Sequence, residues 1–185
     1  MKNQLALALS LFVLLLVACK PEAPKESAAA AKSADTTAVT PPPAEFADQK
    51  YAETMRSMYA AFSKGDVVAY VNYFSENAVY AWNYGDSLAG KAAISEYWTK
   101  RRTEIIDSVT FNNQIFLPVK VNKPQSVEAP GIWVLAWYQV VAKYKTTGKK
   151  MTQWMHADAH FDANGKIDRL IQYTDRTLID AALKK

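Results

Sequence analysis

No stretch limits the folding options of this chain as much as Met151 to Asp175. An alternating run from Met151 to Phe161 leads into Asp162-Ala163-Asn164-Gly165, and a second run follows from Lys166. Asn-Gly between two such runs is a strong local signal for a β-hairpin, because glycine accepts the positive φ of a tight turn. Side chains alternate along a strand, so Trp154, His156, Asp158 and His160 share one face. Met155, Ala157, Ala159 and Phe161 share the other. A four-residue loop sets Asp158 against Arg169 and Ala157 against Leu170; a three-residue loop shifts every pair by one. The four-residue register places opposite charges across the ladder and is preferred. Its inner face is Met155, Ala157, Ala159, Phe161 and Leu170, and its outer face adds Arg169 and Tyr173 to the polar set.

The rest of the chain supplies what such a hairpin needs to pack against. Half of the 185 residues are hydrophobic, enough for one domain with tails. The net charge of +4 is small and dispersed, and no basic stripe interleaves with the tryptophans, which argues against nucleic acid as a partner. The sole cysteine rules out an internal disulfide.

That cysteine sits in a distinctive place. Lys2 precedes an apolar run from Leu5 to Val17, long enough for a signal-peptide core and short for a membrane span. The run ends in Leu16-Val17-Ala18-Cys19, which resembles a bacterial lipobox, so residues 1–18 read as a lipoprotein signal peptide and Cys19 as the acylated first residue. Acyl chains contribute about 0.8 kcal/mol per buried CH₂, so a multiply acylated Cys19 is a firm membrane anchor. Lys20 after the cysteine resembles outer-membrane rather than inner-membrane sorting, and places the domain in the cell envelope, outside the cytoplasm. Residues 19–45 are rich in Ala, Lys, Glu, Ser, Thr and Pro and read as a disordered tether with a reach on the order of 30 Å.

From residue 46 to 185 the patterns are those of a folded domain. Apolar residues at helical spacing predict a helix over Phe46 to Ser63, ended by Gly65, and a short second helix over Val67 to Phe74, capped by Asp66. Ala78 to Tyr84 reads as a strand, and Lys91 to Ile105 as a third helix. Ser108 to Val121 reads as strand bent near Pro118, Ile132 to Lys145 as a central strand apolar on both faces, and Leu178 to Lys185 as a frayed helix or tail. Three N-terminal helices packed on a curved antiparallel sheet make an α+β fold.

Several motifs then carry a resemblance. They are Tyr59-Ala60-Ala61-Phe62-Ser63-Lys64-Gly65-Asp66, Tyr73-Phe74-Ser75-Glu76-Asn77-Ala78, Gly90-Lys91-Ala92-Ala93-Ile94 and Phe161-Asp162-Ala163-Asn164-Gly165-Lys166-Ile167, followed by Tyr173 and Asp175. In order and spacing they resemble the NTF2-like superfamily, in its SnoaL-like and ketosteroid isomerase-like branch, from about Met55 to Leu178. The resemblance implies a conical fold, often dimeric, with a pocket between the concave sheet face and the helices. It implies no single activity, because the fold hosts isomerases, cyclases, dehydratases and binding domains. Ketosteroid isomerases need an aspartate base and an oxyanion hole of a tyrosine and a protonated aspartic acid. By resemblance, the base falls at Trp82, the tyrosine at Met58, its pocket neighbour at Trp98 and the aspartic acid at Ala157. None of these can move a proton as that chemistry requires.

The expected site is therefore a binding pocket walled by Met58, Trp82, Trp98, Met155 and Ala157, holding a small apolar or aromatic molecule without a cofactor. A SnoaL-like enzyme with acid–base groups elsewhere, or a dimeric interaction module, is the alternative. His156, Asp158 and His160 invite a metal, but the outer two are about 13 Å apart on an extended strand, so no metal is expected. Trp154 and Tyr173 on that face suit a homodimer interface instead. Replacing Cys19 by Ser is expected to move the protein from the membrane fraction to the soluble fraction on cell fractionation. Continued membrane retention would overturn the anchor.

Overall fold

The alternating strand patterns resolve into one curved, mixed sheet. The computed structural model describes residues 40–125 and 128–185. The expected signal peptide, Cys19 and the tether as far as residue 39 lie outside the described residues. The elements in chain order are β1 (Ala44–Phe46), α1 (Lys50–Ser63), α2 (Val67–Val71), β2 (Phe74–Trp82), β3 (Ser87–Ala89) and α3 (Lys91–Lys100). A π-helical turn, Arg101–Ile105, leads into β4 (Ile106–Val121), β5 (Gly131–Tyr144), β6 (Lys150–Phe161), β7 (Ile167–Tyr173) and α4 (Arg176–Leu183). The strand order is β1-β4-β5-β6-β7-β2-β3.

Two expectations of the architecture change. The sheet is mixed rather than antiparallel, because β2 pairs with β7 in parallel. The C-terminal segment, expected as a frayed helix or tail, is an ordered helix, the fourth α-helix among the described residues. Asp175 caps α4 by accepting from Thr177 N. Buried Gln153 holds the entry to α4, accepting from Asp175 N at 3.0 Å, and Thr147 Oγ1 donates to Ala182 O at 2.7 Å near its end. A helix fastened at both ends does not fray.

Residues 44 and 45, expected within a tether, belong to a strand instead. Ala44–Phe46 pairs with Val119–Val121 at the edge of β4, and Pro43 O accepts from Asn122 N at 2.9 Å. An edge strand presents unpaired N–H and C=O groups, and an extended proline-rich segment satisfies them through its carbonyls. Pairing β1 at the edge takes Phe46 away from the first helix predicted over Phe46 to Ser63, and α1 begins at Lys50.

The helices form where the sequence carries the right stripe. In α1 the buried residues Ala52, Met55, Met58, Tyr59 and Phe62 recur at three- and four-residue spacing. Asp66 caps α2, accepting from Ala69 N at 2.9 Å. In β5, Val134, Ala136, Tyr138, Val140, Ala142 and Tyr144 all face the core, and the strand lies between β4 and β6. The break in β4 falls at Asn113, with φ of +50°, where the pairing slips between Asn112 and Ile115. Pro118 keeps its place in the ladder opposite Val134, so it is not the bend.

The hairpin keeps its faces but not its expected register. Asp158 lies opposite Ile171, Ala159 opposite Leu170 and His160 opposite Arg169. The loop is wider than four residues, since Asp162 N donates to Lys166 O at 2.8 Å, and a bulge follows between His160 and Phe161. The displacement is two residues, which conserves which side chains look inward. It separates Asp158 from Arg169, and the bulge brings Asp168 Oδ1 to 2.6 Å from His160 Nδ1.

His160 also approaches Pro130 O at 3.2 Å, so its ring is fixed against Gly131. Gly131 has a φ of +122°, and a Cβ there would stand 2.8 Å from His160 Nε2. Gly131→Ala is expected to destabilise the domain by about 1–3 kcal/mol in urea denaturation. Gly165→Ala, at φ +71° with open space around it, meets only the left-handed backbone penalty and should cost less. A smaller loss at Gly131 than at Gly165 would show that His160 is free to move.

Candidate functional site

The concave face of the sheet and the helices enclose a cavity of about 330 Å³. Its walls are aromatic. Tyr59 and Phe62 come from α1, Tyr70 from α2, Tyr80 and Trp82 from β2, Tyr97 and Trp98 from α3, and Tyr138 from β5. Phe62, Tyr70 and Tyr80 all pack on Trp98, with ring centroids 5.0, 6.1 and 5.6 Å away and edge-on geometry. Edge-to-face contacts of this kind hold rings in place beyond what burial alone supplies. Ile179 and Leu183 of α4 complete the wall.

A hydrogen-bonded chain of phenols runs through the interior. Tyr59 OH donates to Tyr138 OH at 2.9 Å, and Tyr138 OH donates to Gln172 Oε1 at 2.9 Å. Tyr80 OH donates to the same Oε1 at 3.2 Å. Gln172 Nε2 donates to the backbone carbonyls of His156 and Tyr173, at 3.2 and 3.3 Å. Those two carbonyls fix which end of the amide faces the cavity. Burial pushes the Tyr138 phenol up to about 12. Burial also pushes Tyr59, Tyr70 and Tyr80 well above the usual phenol value of 10. These hydroxyls are neutral at physiological pH.

One donor in the cavity wall is left over. Trp98 Nε1 is buried and has no hydrogen-bond partner. Among the described residues that line the cavity, the carboxylates are Asp86 and Asp180, both exposed and both facing Arg176, at 3.6 and 3.8 Å. They belong to the open end.

The sequence model of SnoaL-like domains matches residues 55–170. The chain belongs to the SnoaL-like domain family. Solved structures share the fold. A proposed polyketide cyclase from Xanthomonas campestris pv. campestris is 19% identical with a TM-score of 0.60, covering 74% of this chain and 98% of its own. A proposed isomerase from Bacillus subtilis is 23% identical with a TM-score of 0.58, over 72% of this chain and 92% of its own. SalBIII, an epoxide hydrolase/cyclase-like enzyme of pyran-ring formation in the polyether salinomycin, is 19% identical with a TM-score of 0.53, over 70% and 94%. At these identities the likeness is one of fold. No curated protein matches this sequence.

Against this SnoaL-like frame the residues singled out from sequence separate into two groups. Trp82, Trp98 and Met155 line the cavity. Met58 and Ala157 do not: both are fully buried in the closed core. Ala157 lies in the ladder between Ala136 and Gln172. Tyr59, one helical step of about 100° from Met58, takes the position in the wall. The wall is thus richer in polar groups than indole, thioether and methyl alone. The signals for the missed residues were present: Tyr138 alternates with the inward Ala136 and Val140, and Gln172 lies two residues beyond the inward Leu170. Each reads as core until a second polar side chain is known to meet it.

The ionic residues of β6 stay on the outer face. His156 Nε2 lies 2.7 Å from Asp158 Oδ1, on the face away from the cavity. Oδ1 lies off the ring N–H direction and makes no aligned hydrogen bond. His156 packs between Trp137 and Tyr173, at 4.8 and 5.3 Å. Trp154 and Trp137 are 55% and 37% exposed there. Among the described residues, no three His, Cys, Asp or Glu side chains converge as metal ligands.

The phenol network gives this SnoaL-like domain an alkaline limit. A folded-state pKa raised above the unfolded value means that the unfolded chain releases its protons first. Stability is complete below about pH 10 and falls as pH rises towards 12 and beyond. Absorbance titration of tyrosinate is expected to show exposed tyrosines ionising near their ordinary value, with the buried group appearing only together with loss of tertiary structure. Smooth ionisation of every tyrosine in the intact fold would contradict the network.

Proposed function

We propose that this SnoaL-like domain is a binding module, held at a membrane in the cell envelope through Cys19, whose cavity takes a small, flat, largely apolar molecule carrying a hydrogen-bond acceptor. The observation that carries this reading is the buried, unpartnered Trp98 Nε1–H inside a wall of aromatic rings. A buried donor without an acceptor costs roughly 1–3 kcal/mol, and a ligand oxygen recovers it. The volume of about 330 Å³ falls at the small end of the range for small-molecule sites. Ring faces on several sides favour a planar guest over a branched one.

The lining supports binding rather than proton-transfer chemistry. General acid–base catalysis needs a group whose pKa lies near the working pH. The buried phenols are displaced away from that range, and the lining carboxylates Asp86 and Asp180 stand at the exposed end beside Arg176. The hydroxyls of Tyr59, Tyr80 and Tyr138 are directed along their own chain towards Gln172, whereas the buried indole N–H has no partner.

Fluorescence titration of the domain with acetylnaphthalene and ethylnaphthalene tests the reading, because the two differ mainly in one carbonyl oxygen. The ketone is expected to quench tryptophan emission and to bind about three- to tenfold more tightly, a difference of roughly 0.5–1.5 kcal/mol. Trp98→Phe should keep the fold and the hydrocarbon's affinity but lose the preference. No response to any flat apolar compound would sink the binding role.

A further inference from the structure

The mouth of the cavity holds a cation whose guanidinium is engaged by no anion among the described residues. Arg101 opens the π-helical turn after α3 and lines the cavity, half-buried. Its guanidinium lies over the Tyr97 ring, 5.5 Å from the centroid. Among the described residues it makes no ion pair within 4.0 Å. The other charges at the mouth are Arg176, Asp86 and Asp180. Arg176 occupies itself with both carboxylates and with the Tyr84 ring, 5.1 Å away. Neighbouring Arg102 is turned away from this role, since its Nη1 donates to the carbonyls of Ile106 and Asp107 at 2.9 and 3.4 Å and pins the turn.

Position along the helix adds a second constraint. Arg101 follows Trp98 by three residues, and residues so spaced lie on one face, about 5–6 Å apart at Cβ. One face of α3 therefore brings the Trp98 indole and the Arg101 guanidinium to the lining of one cavity. π-helical turns are frequent at functional sites. A guanidinium fork matches the planar, two-oxygen geometry of a carboxylate. Partial removal from water makes that pairing stronger than it is on an open surface.

We propose that the ligand of this cavity is an apolar, flat carboxylic acid, and that Arg101 binds its carboxylate at the mouth while the body lies along Trp98. This rests on the binding role proposed above and names the class of its ligand. Isothermal titration calorimetry with naphthoate and its neutral methyl ester separates the two. The wild-type domain is expected to bind the acid tenfold or more tightly than the ester. Arg101→Gln should remove that preference while leaving the ester's affinity within about twofold, and Arg101→Lys should restore it in part. Arg176→Gln should leave most of the preference in place. Thermal melts of each variant establish that it is folded. Equal affinity for acid and ester in the wild type overturns the carboxylate assignment and leaves the binding role intact. A preference that survives Arg101→Gln or vanishes with Arg176→Gln overturns the role of Arg101. Binding of neither probe overturns both the assignment and the binding role.

Discussion

The Gln172 amide decides how the interior of this domain is arranged. Two backbone carbonyls, of His156 and Tyr173, hold its nitrogen and so commit its oxygen to the cavity side. That oxygen then accepts from Tyr80 and Tyr138, and Tyr138 in turn accepts from Tyr59. Four elements, α1, β2, β5 and β7, are tied through one acceptor. Buried polar groups are costly unless paired, so the network is stable only as a whole. It also sets how the hydroxyls lining the cavity behave near neutral pH. The phenols bond to one another, and burial keeps them un-ionised.

Charge is sorted by the period of the strand. Along β6 the ionisable residues His156, Asp158 and His160 alternate with Met155, Ala157 and Ala159. A strand with one face in a low-dielectric interior must put its ions on the other unless each has a buried partner. The outer face pairs them locally: His156 meets Asp158, and His160 meets Asp168 across the bulge. The same sheet thus separates an aromatic cavity from a surface of aromatic and ionic groups by the thickness of one backbone.

The open end is built by a π-helical turn and a short C-terminal helix. The π-turn after α3 carries Arg101 to the rim, and α4 supplies Ile179 and Leu183 to the wall. Gln153, buried on β6, accepts from the backbone at the start of α4 and so links the rim to the sheet. Rim and floor are therefore mechanically connected, through side chains that alternate along a single strand and its neighbour.

Local chemistry fixed the hairpin, the two faces of β6, the stripe of α1 and the cap of α2, because each depends on residues within a turn or two of one another. The α+β class and the membership of the SnoaL-like family were legible for the same reason. The exact register was not, since the bulge at Asp168 is stabilised by His160, and the break at Asn113 shows only in how β4 meets β5. The parallel β2–β7 pair, the docking of β1 and the ordering of α4 join segments far apart in the chain. The site followed the same division. Trp82, Trp98 and Met155 were visible as large apolar groups on inward faces, whereas the exchange of Met58 for Tyr59 turned on how α1 is rotated about its axis. Sequence alone determined which side chains are available and which share a face. Tertiary structure decided which of them meet, because Tyr59, Tyr80, Tyr138 and Gln172 become one network only when four separate elements close around the same oxygen.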